Sequence, residues 1–174
     1  MYDLKSLILL QNKYMKLITK LVVVYMLIFS VSAFAKSPTP YGPVITLEQA
    51  KIVVAAVEVE AVKNNWPVAI VVVDSGANMI LMHKLDNTQH LGVDIAIAKA
   101  KTSVNLRRST KKLDDALAGG ASRLLAIEGL MPIAGGIPII IDGKIIGAVG
   151  VSGVTPEQDD QAAQAGVDAL LLKK

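Results

Sequence analysis

The chain reads as an α/β protein of the α+β kind, with a mostly antiparallel sheet of about five strands flanked by helices. Two observations predict it. Turn residues separate apolar, β-branched runs in two places, Asp74-Ser75-Gly76-Ala77-Asn78 and Asp142-Gly143, so the chain holds two β-hairpins. Helical segments precede the first hairpin, separate the two and follow the second; two of them open on capping boxes, Thr46 to Gln49 and Thr155 to Gln158. Hairpins join antiparallel strands, and helices in this order pack on the faces of such a sheet. This is not the order of a doubly wound nucleotide fold.

The first 35 residues stand apart. Lys13, Lys16 and Lys20 form a basic flank to Leu21–Ser32, an apolar run of the length of a signal-peptide core, and Ala33-Phe34-Ala35 is an A-x-A cleavage pattern. Residues 1–35 are expected to be a secretory signal peptide, with Met15 as an alternative start and Lys36 as the mature N-terminus. The run is shorter than the ~20 residues a spanning helix needs, so no membrane span is expected after cleavage. The expected location is periplasmic or secreted. Residues 36–44, with three prolines and a glycine, read as a linker, and residues 45–174 as one domain.

Within that domain the elements follow from periodicity and punctuation. Thr46 caps a helix from Leu47 to about Asn64, in which Ile52, Ala55, Ala56, Val59 and Val62 recur at helical spacing. Asn64-Asn65-Trp66-Pro67 stops it. Val68–Val73 is a continuous β-branched run, hence a buried strand, and Met79–Leu85 is its hairpin partner. Strict alternation on that partner places Met79, Leu81 and His83 on one face and Ile80, Met82 and Lys84 on the other. A helix is expected from about Gln89 to Leu106, a polar break at 107–112, and a short helix from Leu113 to Ala118. Residues 121–130 fit a helix or a strand. Ile137–Ile141 and Lys144–Val151 form the second hairpin, and Thr155 caps a last helix with Pro156 at its first position.

Composition excludes several classes of function. Aromatic residues make up 4% of the chain, too few for stacking single-stranded nucleic acid. The formal net charge of +3 comes from the first 35 residues; without their four lysines and one aspartate the basic and acidic residues balance at fourteen each. No electrostatic footprint for nucleic acid remains. Cysteine is absent, which removes disulfides, thiolate metal sites and a cysteine nucleophile. Ser152 lies in Gly-Val-Ser-Gly, not in a nucleophile elbow, and the carboxylates Asp74, Asp86, Asp94 and Asp142 show no diagnostic pairing. No constellation demands an enzyme.

The glycines gather in Gly135-Gly136-Ile137-Pro138-Ile139 and in Asp142-Gly143 through Gly147, Gly150 and Ser152-Gly153. Interior strand glycines mark bulges or close backbone approach, and those at a rim can turn backbone amides toward a ligand. Upstream, Lys99 and Thr102 share one helix face. The pattern GG-x-PI, then DG-x-x-x-GA-x-GVSG and an acidic amphipathic helix, resembles the signature of the GlcG/HbpS-like family, also found as the C-terminal domain of PduO-type proteins. Ala98–Ser103 is similar to that family's KA-x-T helix and Val73–Gly76 to its first strand-turn. The resemblance covers roughly residues 45–170. It implies a profilin-like sandwich, homo-oligomers and haem as the cofactor.

His83 and His90 are the two histidines, and a ring nitrogen can ligate haem iron. The haem-binding relatives, as the resemblance has it, use a histidine on the first domain helix, which has none here. The axial ligand is then His83, His90, a methionine such as Met79 or Met82, or Tyr41; Arg107 and Arg108 can pair with propionates or cap a helix C-terminus. The candidate cofactor-binding residues are His83, His90, Lys99, Thr102, Gly135, Gly136, Pro138, Gly150 and Ser152, with His83 and His90 as metal ligands. The function expected is capture, sensing or protection with haem or a related tetrapyrrole. The alternatives are an enzyme acting on a small organic metabolite at the glycine-rich rim, and an accessory subunit that binds a protein partner.

Overall fold

The computed structural model describes residues 3–28 and 37–173. The chain divides into two units, Met1–Ser37 and Pro38–Lys174. The first holds helix α1 (Leu4–Ile28). Among the described residues no helix is long and apolar enough to cross a membrane. The Ala33-Phe34-Ala35 pattern lies outside the described residues.

In the second unit the elements run α2 (Leu47–Lys63), β1 (Ala69–Asp74), β2 (Met79–Lys84), α3 (Gly92–Leu106), α4 (Thr110–Ala118), a 3-10 turn (Ser122–Ala126), β3 (Gly136–Ile141), β4 (Lys144–Ser152) and α5 (Pro156–Leu172). Both expected capping boxes close: Thr46 and Thr155 each accept from the backbone three residues on, and Gln49 and Gln158 accept in return. The sheet is antiparallel throughout, in the order β2-β1-β4-β3. It has four described strands, not about five. Residues 121–130 add neither strand nor α-helix, because Gly120 and Gly129 take positive φ on either side of the 3-10 turn.

Strand β1 is buried on both faces, and its alternation sorts two cores. Val68, Ile70 and Val72 pack with α2 and α5 on one face, together with Ile139, Val149 and Val151. Ala69, Val71 and Val73 pack with Ala96, Ala100 and Val104 of α3 on the other. Each such buried valine or isoleucine contributes about 1.5–3 kcal/mol. Helix α3 lies close on the sheet because Gly150 has no side chain there: a Cβ would sit 2.1 Å from the Ala96 carbonyl oxygen.

The proline-rich segment before α2 is tied down. The Ile145 amide donates to the Pro40 oxygen at 2.9 Å, Gly42 to Ile145 at 2.8 Å and Ile45 to Ile146 at 2.9 Å. Residues 40–45 therefore run beside β4 where β1 has ended, and the end of the sheet is covered before α2 begins.

Candidate functional site

Strand β2 is an edge strand, and its register decides what His83 can reach. His83 pairs with Ile70, whose side chain belongs to the α2/α5 core, so the imidazole stands on the α2 face. Helix α2 buries Val53, Val54, Val57 and Ala61 in that core. Glu58, one turn beyond Val54, is carried on the flank facing β2. The two side chains meet, His83 Nδ1 to Glu58 Oε1 at 2.6 Å, with 45% and 32% of their side-chain surfaces exposed. A carboxylate only accepts, so Nδ1 carries the hydrogen and Nε2 of the neutral ring keeps its lone pair. Nε2 has no partner among the described residues. The pair borders a cleft of about 360 Å³ lined by the apolar Val54, Ala55 and Leu81 and by Lys51. Lys51 Nζ lies 2.8 Å from Glu48 Oε1 in an exposed pair that a competing anion can displace.

His90 sits elsewhere. It is exposed in the turn before α3, the helix of the opposite face, and does not line this cleft. The two histidines do not share a site as a joint metal pair. Among the described residues no three His, Asp or Glu side chains gather in a metal-holding group.

The glycine-rich region is built for packing. Lys99 leaves α3 fully buried and ends with Nζ 2.7 Å from Asp159 Oδ2 and 3.0 Å from the Val151 carbonyl oxygen. It joins α3 on one face to the first turn of α5 on the other, and is not a solvated lysine. Burial pushes the Asp159 carboxyl upward, and the ammonium beside it pulls the other way. Gly135 makes room: with φ at 115°, its missing Cβ would stand 2.9 Å from Lys99 Nζ. The amides of this stretch are taken. Gly135 donates to Asp160 Oδ1 at 3.2 Å, Gly136 to Thr110 Oγ1 at 2.8 Å, Ala134 to Asp114 at 3.1 Å and Met131 to Thr102 Oγ1 at 2.9 Å. Gly150 and Ser152 are buried in β4, and Pro138 is partly buried in edge strand β3. Lys99, Thr102 and the amides of Gly135 and Gly136, expected to meet a ligand, each bond inside the chain: Lys99 Nζ donates to Asp159 and Val151, Thr102 Oγ1 accepts from Met131, and the two glycine amides donate to Asp160 and Thr110.

The remaining candidates are also placed. Strand β2 bulges opposite Val72/Val73, so Met79 pairs with Val73 and Met82 with Val71, both residues of the α3-side core. The bulge puts the two methionines on one face, where strict alternation separated them; both are exposed. Tyr41 donates to the Val104 oxygen at 3.0 Å and lies under the Arg107 guanidinium at 4.3 Å. Arg107, at φ 55°, is the C-cap of α3 and donates to the Thr39 oxygen at 3.3 Å. Both hold the segment before α2. Glu58 is the residue that sequence patterning missed. A glutamate on a helix flank is an ordinary solvated side chain until a partner 25 positions away is brought to it.

A family model described as haem degrading protein HbpS-like matches residues 45–168. An uncharacterized 15.0 kDa protein of the dhaT-dhaS intergenic region of Citrobacter freundii is 42% identical over 130 residues, 72% of this chain and 92% of that one. The crystal structure of HbpS superposes with a TM-score of 0.70 at 30% identity, covering 80% of this chain and 99% of the other. The structure of a PduOC:haem complex gives 0.67 at 23% identity over 72% of this chain and 94% of the other, a likeness of fold.

Proposed function

This chain belongs to the HbpS-like family, and we propose from that premise that it binds haem or a related tetrapyrrole in the cleft between α2 and β2. The carrying observation is the His83–Glu58 pair. His83 is the histidine whose ring is pinned through Nδ1 at the border of an apolar hollow, which leaves Nε2 as the nitrogen that would hold iron. Val54, Ala55 and Leu81 offer apolar surface to a flat ring, and Lys51 offers a charge to a propionate. About 360 Å³ lies within the range of small-molecule sites, although a whole tetrapyrrole seated there projects beyond the cleft. Haem, if bound, would supply redox-active iron; His83 would hold the iron and Val54, Ala55 and Leu81 would contact the ring. Capture, sensing or protection in the cell envelope is the role this reading supports.

Haemin titration of the protein, followed by absorbance, tests it. The wild type should give a saturable Soret shift that His90→Ala keeps and His83→Ala loses. A wild type without saturable binding discards haem for this chain. A shift lost with His90→Ala and kept with His83→Ala moves the ligand to the α3 face and discards the cleft.

A further inference from the structure

We propose that Glu58 is the positioning residue of this site: by accepting from His83 Nδ1 it fixes the tautomer, presents Nε2 to iron and makes the bound haem electron-rich. The inference rests on the haem reading above for its second half; the first half concerns the protein without ligand. Three observations support it. The Nδ1–Oε1 distance of 2.6 Å is short for a nitrogen donor, as bonds to an ionised acceptor are. The carboxylate is carried by a helix whose position is set by the buried Val53, Val54, Val57 and Ala61, so it is held and not merely near. Glu58 has no other hydrogen-bond or ion-pair partner among the described residues, so its acceptor strength goes to His83.

The chemical consequence is general. A neutral imidazole ligates through one nitrogen and donates through the other. A carboxylate accepting that second hydrogen raises the ring's basicity, and second-shell hydrogen bonding is one of the levers a protein has on haem iron. More electron donation favours ferric over ferrous iron and lowers the potential.

The experiment compares the full chain with Glu58→Gln, a near-isosteric change at a part-exposed position. Nitrogen-15 NMR of the unliganded protein, above the histidine titration range, should show His83 as the Nδ1–H tautomer, and Glu58→Gln should shift population toward Nε2–H. Redox titration of the haem-loaded proteins should give a more positive midpoint in Glu58→Gln, with the fold unchanged by circular dichroism. An unchanged tautomer in Glu58→Ala, which removes the acceptor altogether, overturns the positioning role. A shifted tautomer with an unchanged midpoint overturns the tuning of iron. If wild type binds no haemin, the haem reading and its iron consequence both fail, and the ring measurement still decides whether Glu58 positions His83. If Glu58→Gln does not fold, Glu58→Ala, which removes the acceptor, takes its place under the same outcomes.

Discussion

At the scale of single residues the chain spends its most expensive interaction on a strut. Lys99 and Asp159 are both nearly excluded from water and 2.7 Å apart. Removing one partner strands the other charge, which costs about 3–5 kcal/mol, whereas apolar replacement of both can be close to neutral. Lys99→Met should therefore lower the urea midpoint by that much in free energy, and adding Asp159→Leu should restore much of it. A double variant as unstable as the sum of the two singles would show that no coupling exists. Sequence patterning placed Lys99 and Thr102 on one helix face, correctly as geometry. It had no means of seeing that Asp159, 60 positions away, waits across the sheet, because helix periodicity says which residues share a face and nothing of what meets them. His83 shows the same limit: its candidacy was legible, its partner Glu58 was not.

At the scale of elements the stretch before β3 behaves as a joint clamped by three helices. Thr102 of α3, Asp114 and Thr110 of α4 and Asp160 of α5 each accept one of its amides. Burial holds the Asp160 carboxyl above its ordinary range, opposed by the Gly135 amide and by Lys111. The native state then binds this proton more tightly than the unfolded chain. That contribution to stability is present below the unfolded carboxylate range, near pH ~4, and is lost as pH rises through the folded value. Asp160→Asn keeps an acceptor for Gly135 and cannot ionise, so its melting temperature relative to wild type should improve as pH rises from about 4 toward neutrality. A constant difference across thermal melts in that range would refute the assignment. The helices and both hairpins were readable because caps, turns and β-branched runs are local signals. The bulge in β2 was not, since an extra residue in one strand appears only against its partner's register, and it reversed the expected separation of Met79 and Met82.

At the scale of the whole molecule, the two cores and the candidate site belong to the second unit. Both cores draw their residues from Ile45 onward, and the α2–β2 cleft lies within the same span. Residues 1–35 hold four lysines against a single acidic residue, so the rest of the chain is balanced in charge. We propose that they serve export and are cut after Ala35. The composition fits that role: a basic flank, a short apolar run and small residues at the cut, in that order. N-terminal sequencing of the protein recovered from the cell envelope or the medium should begin at Lys36, and the shortened chain should melt in one cooperative transition. A recovered protein that begins at Met1 or Met15 would overturn cleavage and leave the segment as an anchor. A shortened chain that fails to fold would show that the first unit stabilises the second.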